Sequence, residues 1–237
     1  MSLEQNLKSV LSVIDHSKSR SAFDGEIKLI AVSKFQSINK IKELYALGHR
    51  RFGENYLQEL EEKSEKLPDD IEWHFIGAIQ SKKIKKIVGR VDYIHSVESI
   101  KHLEKIESVC IEQNLTQNVL LQVNIAQEES KSGFSVGKIG EVIRFANELK
   151  ATTVVGLMAM PPLVGNAEAN REYFKLMSAL LTQCRTFYRS PERMIELSMG
   201  TSSDFSVAIE EGATFVRVGS ELMGPRDSSN EGQQEDN

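Results

Sequence analysis

The sequence predicts one closed (β/α)₈ TIM barrel, and three observations predict it. Short apolar, β-branched runs alternate with amphipathic helical stretches along the chain, the pattern of parallel strands joined by helical crossovers. Eight such pairs follow one another, which closes a barrel and disfavours an open doubly wound sheet. The chain has 237 residues with no break in composition between units, close to the about 250 typical of a single barrel.

The elements follow in order. "LEQNLKSVLSVIDHSK" reads as an amphipathic N-terminal helix, and "IKLIAVS" as the first strand, apolar throughout. Ile38, Ile41, Leu44, Tyr45 and Leu47 keep helical spacing, with Gly48 as C-cap. "RRFGEN", "EWHFIGAI", "VDYIHSV" and "NVLLQVNI" give strands two to five. "YLQELEEKSEKL", "SKKIKKIV" (with a serine N-cap) and "ESIKHLEKIESVCIEQ" give the helices between them. An ordered loop, "AQEESKSGFS", leads to a helix ending near Leu149. "TVVGLMAM", a helix from about Ala167 to Phe187, "MIELSMG", the helix "SDFSVAIEEG" and "TFVRVGSEL" complete the eight units. The barrel and its N-terminal helix take residues 1–224; the polar, acidic segment 225–237 is expected to be a disordered tail.

Hydrophobic residues make up 40% and charged residues 27%, enough to build a core, and the net charge is −5. A nucleic-acid binder would show a basic excess, so no nucleic-acid partner is expected. No apolar run reaches the ~18 residues that span a bilayer, and the N-terminus lacks the pattern of a signal peptide. Cys110 and Cys184, far apart in sequence, read as buried thiols of a reducing compartment. A cytoplasmic protein is expected. The five histidines show no metal-ligand spacing, so no metal is expected.

Barrel chemistry lies at the C-terminal ends of the strands. Here those ends carry Lys34, Glu54, Asn55, Gly77, His95, Asn124, Met158, Met160, Ser198, Gly200, Thr201, Arg217 and Gly219. "SMGTSSDF" sets glycine and hydroxyl residues between the seventh strand and a helix. Amides and hydroxyls so placed can hold a phosphate, or Ser202 or Ser203 can merely cap the helix. "RVGS" adds a glycine after the eighth strand, and loops seven and eight are the usual phosphate position of this fold. Lys34 stands on the first strand, next to the eighth once the barrel closes. A phosphate site facing a lysine at an apolar strand end suggests pyridoxal 5'-phosphate (PLP), because desolvation lowers the ammonium pKa and favours Schiff-base formation.

"AVSK", "FGENYLQE", "WHFIGAIQSKK", "HSVES", "VNIAQEESKSGF", "GLMAMPP", "LSMGTSSDFSVAI" and "VRVGSELMG" occur in this order. On these motifs the chain, over about residues 5–224, resembles the pyridoxal phosphate homeostasis protein family, whose barrel is similar to that of alanine racemase. The resemblance implies covalent PLP at Lys34, with Asn55 beside the cofactor. It implies a phosphate held by Ser198, Gly200, Thr201, Ser202 and Gly219. Arg217 would approach the pyridine nitrogen, unless it pairs with Glu221, and Met158 or Met160 would pack near the ring. Thr201, Lys82 and Met223 depart from the family pattern, and Lys82 leaves the role of the loop after the third strand open. The resemblance further implies a protein that keeps PLP and amino-acid pools in balance without established catalysis, with possible transfer of cofactor to PLP enzymes; a monomer is expected, because a racemase-like second domain is not seen and the acidic tail offers no apolar seam. One alternative is a PLP-dependent amino-acid racemase or lyase, which needs a second acid/base; Tyr56, His74 and His95 are the candidates. Another is a module that binds partner proteins without cofactor.

Overall fold

The computed structural model describes residues 2–128, 131–162 and 166–225. Its strands are β1 (Lys28–Val32), β2 (Arg51–Glu54), β3 (Glu72–Phe75), β4 (Tyr93–Val97), β5 (Gln117–Asn124), β6 (Phe134–Ser135), β7 (Thr152–Ala159), β8 (Glu196–Thr201) and β9 (Phe215–Val218). They run parallel in the order β4-β3-β2-β1-β9-β8-β7-β5, and pairing of β4 with β5 closes the barrel. The two-residue β6, inside the stretch expected to be a loop, hangs on the end of β5 through Val123–Phe134 and Asn124–Ser135. The expected sixth, seventh and eighth strands are therefore β7, β8 and β9.

The helices are α1 (Leu3–Lys18), α2 (Ile38–Ala46), α3 (Leu57–Lys66), α4 (Ile84–Ile87), α5 (Ile100–Gln113), α6 (Ile139–Ala146), α7 (Arg171–Arg185), α8 (Phe205–Glu210) and α9 (Ser220–Met223). In α1, Ser2 and Gln5 form a reciprocal capping box, and Leu3, Leu7, Val10 and Ile14 are buried at helical spacing. At roughly 1.5–3 kcal/mol per large apolar side chain, that stripe is what fixes α1 to the barrel. Asn6 adds a hydrogen bond of 3.1 Å to the Leu222 carbonyl. Gly48 takes φ +93 just past α2, as a C-terminal glycine should.

Among the elements that differ from their expected bounds, three bear on the end of the barrel that carries Lys34. The third strand stops at Phe75, and the chain at Gly77 presses on the residue just past β2: a Cβ there would lie 2.0 Å from the Asn55 carbonyl oxygen. Ser81 is not a cap; it opens a short 3₁₀ turn, with Gln80 at the N-cap position, that precedes the four-residue α4. The last strand ends at Val218, and residues 220–223 coil into α9. The tail assigned to 225–237 lies, after Pro225, outside the described residues, as do residues 129 and 130 of the loop after β5.

Most apolar side chains fill the layer between strands and helices. A second, smaller cluster of Ile30, Leu120, Val155, Met158 and Phe215 fills the barrel lumen. The lumen is also polar: His74, His95, Ser198 and Arg217 are all buried. Cys110 and Cys184 are free and buried, and burial pushes the Cys184 thiol up to about 11. Among the described residues no helix is long and apolar enough to cross a membrane. Among them, too, no group of three His, Cys, Asp or Glu side chains is placed to hold a metal.

Candidate functional site

Lys34 sits in a tight turn just past β1, closed by a 3.1 Å hydrogen bond from the Gln36 amide to the Ser33 carbonyl. The next residue, Phe35, has φ +58. A left-handed conformation costs an L-residue with a large side chain roughly 1–2 kcal/mol, so other contacts must hold it. They come from a buried charge cluster on β2 and α3. The Phe35 amide donates to Glu59 Oε2 (2.8 Å) and the Ser33 hydroxyl to Glu54 Oε1 (2.6 Å). Lys63 Nζ then donates to the Ser33 carbonyl (2.7 Å), Glu54 Oε1 (2.8 Å) and Glu59 Oε2 (2.6 Å). Glu59 and Lys63 face the same way because they are one helical turn apart. Burial pushes the Glu54 carboxyl up to about 7, against the pull of Lys63. The lysine-bearing turn is thus strained and bolted in place.

Strand register sets what surrounds it. β1 pairs with β9 (Ala31–Val218) and with β2 (Val32–Gly53). Lys34 therefore rises between the β9 loop on one side and Glu54–Asn55 on the other. A Cβ on Gly219 would stand 3.7 Å from the Val32 Cβ. The loops after β8 and β9 meet directly, the Gly219 amide donating to Ser202 Oγ at 3.2 Å. Neither Ser202 nor Ser203 caps α8; its N-cap is Asp204. The Asp204 carboxylate instead folds the loop, accepting from the Thr201 amide (2.7 Å) and hydroxyl (3.1 Å) and from Asn170 Nδ2 (2.8 Å). Gly200 has φ +88, and a Cβ there would lie 2.7 Å from the Ala208 Cβ. Backbone conformation and space both require glycine at that point.

Ser198 belongs elsewhere. It is fully buried, and its hydroxyl contacts His95 Nδ1 (2.9 Å) and Arg217 NH1 (2.6 Å) in the lumen. Arg217 NH2 donates to the Ala159 carbonyl at 3.1 Å. No ion pair joins Arg217 to Glu221 among the described residues. Burial lowers the Arg217 guanidinium to about 10, opposed by Asp204. Met158 lies in the lumen cluster, whereas Met160 is exposed on the rim.

Two clefts open at this end of the barrel. One, of about 690 Å³, is lined by Asn55, Tyr56, Gly77, Gln80 and Lys83; the other, of about 350 Å³, by Asn124, Lys131, Met160, Gly200 and Thr201. Asn55 Oδ1 is buried with no hydrogen-bond partner among the described residues. A buried acceptor left over just past β2, on the wall of the larger cleft, fits a site whose ligand supplies the missing donor. The donor set suits PLP: one amine, glycine-rich backbone with hydroxyls for a phosphate, and an arginine with N–H groups to spare.

Two assemblies carry little or no signal in the sequence. The Glu54–Lys63–Glu59 cluster was signalled only by the four-residue step from Glu59 to Lys63. The His74–His95 contact (2.9 Å) had no signal, because the residues lie on different strands.

Fold and mouth together define a barrel of the alanine racemase N-terminal domain family, which matches residues 12–227. Alanine racemase from Corynebacterium glutamicum shares the fold at a TM-score of 0.66 and 18% identity, over 90% of this chain and 60% of that one. Within that class, the chain belongs to the pyridoxal phosphate homeostasis protein family. The family's Aquifex aeolicus member is 40% identical over 200 residues, 84% of this chain and 87% of that one. PipY from Synechococcus elongatus, solved with PLP bound, has a TM-score of 0.81 and 32% identity, over 94% of this chain and all (100%) of that one.

Proposed function

We propose that this protein binds PLP at the barrel mouth, covalently through Lys34, and serves intracellular PLP homeostasis and amino-acid balance without significant turnover. The observation that carries the reading is the braced Lys34 turn, one strand away from the joined Gly200–Ser203 and Gly219 loops. PLP, when bound, supplies an aldehyde for the amine and an electron-accepting ring. The chain's part is to hold it. Gly200, Thr201, Ser202 and Gly219 receive the phosphate, Asn55 and Met158 border the ring, and Arg217 donates toward the pyridine nitrogen. Ser198 acts from behind, through Arg217.

Arginine only donates, so a ring nitrogen facing Arg217 must accept and stays unprotonated, which weakens the ring as an electron sink. A racemase or lyase also needs an acid/base at the ring. His74 and His95 are buried in the lumen and committed to each other, and burial lowers both pKa values. That leaves Tyr56 of the three candidates, on the wall of the larger cleft. The protein is read as a cytoplasmic monomer that releases PLP reversibly, to PLP enzymes among other acceptors. Titration with PLP followed by visible absorbance tests the reading: a Schiff-base band should form, and amino acids presented to the loaded protein should not racemise. Absence of any band, or steady racemisation, contradicts it. Sedimentation as a stable dimer would overturn the monomer assignment.

A further inference from the structure

Five polar side chains form an unbroken chain through the lumen, from one end of the barrel to the other. Glu72 opens β3 at the end away from Lys34, and its Oε1 lies 3.0 Å from His74 Nε2. His74 Nδ1 lies 2.9 Å from His95 Nε2, His95 Nδ1 lies 2.9 Å from Ser198 Oγ, and Arg217 NH1 donates to Ser198 Oγ at 2.6 Å. Tyr93 stacks on His74 at 5.0 Å, and Phe215 sets its ring against both imidazoles at 5.3 Å. His74, His95 and Ser198 are fully buried.

The two ends fix the direction of every bond between them. Arg217 can only donate. The Glu72 carboxylate can only accept; burial opposes its ionisation, but the His74 hydrogen bond and the charges of Arg51 and Lys28 outweigh this and hold its pKa below the ordinary value. His74 must therefore carry its proton on Nε2, facing Glu72. Its Nδ1 is then an acceptor and must receive Nε2–H of His95. His95 Nδ1 is then an acceptor in turn, and it receives the Ser198 hydroxyl proton. The Ser198 oxygen is left with lone pairs, one of which takes the Arg217 N–H. The reverse order would set a bare imidazole nitrogen against the carboxylate. Imidazolium at His95 is disfavoured by burial first, and by the neighbouring charge of Arg217.

We infer that Glu72, His74 and His95 are positioning residues that act through Ser198: this one-way relay keeps the Ser198 lone pair on Arg217 and so aims the guanidinium at the barrel mouth. The role of Arg217 toward the cofactor ring rests on the proposed function; the direction of the relay does not. Two of the five Arg217 N–H donors go to Ser198 and the Ala159 carbonyl, and the relay decides which remain for a ligand. The link is one of state rather than proximity: a change of hydrogen-bonding sense at Glu72 reaches Arg217 through four bonds.

The test has two arms. In the first, long-range ¹H–¹⁵N NMR of histidine-labelled protein without PLP reads the tautomers, with His74→Gln and His95→Gln assigning the signals. Both rings should be Nε2–H and neutral at pH 7; an Nδ1–H form at either ring overturns the relay. The second arm compares Glu72→Gln, which keeps an acceptor, with Glu72→Lys, which only donates. Glu72 is 30% exposed in its side chain, so either replacement keeps access to water, although the lysine also faces Arg51. Glu72→Gln should match the parent. Glu72→Lys should change the tautomer signals of both rings and shift the pH midpoint of the bound-PLP absorbance. His95 signals unchanged in folded Glu72→Lys overturn the inference. If that variant does not fold, the first arm still decides. Failure of PLP to bind the parent through Lys34 would sink the proposed function alone and leave the tautomer result standing.

Discussion

Replacing Lys63 with methionine isolates what braces the Lys34 turn. Methionine nearly fills the space but removes the only cation of the Glu54–Lys63–Glu59 cluster, whose side chains are 0%, 5% and 10% exposed respectively. Three short bonds vanish, including the one to the Ser33 carbonyl. Breaking a buried ion pair by deleting one partner costs roughly 3–5 kcal/mol. The lower end applies, because Glu54 already stands at about 7 and takes up a proton once the ammonium is gone. At about 2–4 °C per kcal/mol for a chain of this size, a loss of ~3 kcal/mol lowers Tm by roughly 6–12 °C at pH 7. The pH dependence has a definite sign. A carboxyl whose folded pKa is raised is favourable below its unfolded value, near 4.5, and that contribution is lost as pH rises through the folded one. Lys63→Met raises the folded value further, so its deficit against the parent should shrink at pH 5. The turn, freed at Ser33, should let Phe35 leave its left-handed conformation and slow capture of PLP by Lys34. Circular-dichroism melts at pH 7 and pH 5, with stopped-flow absorbance after PLP addition, measure these effects. A Tm drop below ~2 °C at pH 7, or a deficit that grows at pH 5, would refute the reasoning.

Gly200→Val places a branched side chain at φ +88, where its Cβ would lie 2.7 Å from the Ala208 Cβ. PLP affinity should fall at least tenfold and pyridoxal affinity much less, and equal losses in parallel titrations would remove the phosphate from this loop. Gly77→Ala drives a Cβ to 2.0 Å from the Asn55 carbonyl oxygen, an overpacking worth about 1–3 kcal/mol; an unchanged melting curve would show that the chain yields there. His49 is held down at about 4 by burial, and His74 and His95 are lowered too. Groups with depressed imidazole pKa values bind fewer protons folded than unfolded, so they withdraw stability as pH falls below ~6.5. Their sum should outweigh the opposite trend of Glu54. Denaturant midpoints should drop between pH 7 and pH 5, and less in His95→Gln; a rising midpoint contradicts the buried neutral histidines. Arg217→Gln keeps donors but removes the charge, and should shift the pH titration of the bound-PLP absorbance. An identical titration would show that Arg217 does not govern the ring.

The barrel was legible because its strands are short, buried and mostly apolar and its helices keep one apolar stripe. Those are local patterns, and "IKLIAV" or Leu3–Leu7–Val10–Ile14 display them without tertiary information. Boundaries were less legible where backbone meets backbone. Nothing in "EWHFIGAI" says that Gly77 turns against Asn55, and nothing in "VRVGSELM" marks the coil from Ser220. The mouth residues could be gathered because the fold sends every strand's C-terminal end to one place. The orientation of a side chain at that end could not: Ser198 and Arg217 point into the lumen and join His95, whereas Thr201 and Ser202 shape the rim. Such pairings join β3, β4, β8 and β9 across the barrel, and periodicity within any one strand carries no trace of them.

The central claim is that Lys34 holds the cofactor, and trapping the bond tests it most directly. Protein loaded with PLP is reduced with borohydride, digested and mapped by mass spectrometry. The account predicts one reduced pyridoxyl adduct, at Lys34, and none in Lys34→Ala of unchanged fold. An adduct at Lys82, Lys83 or Lys131 in place of Lys34, or undiminished labelling of Lys34→Ala, would contradict it.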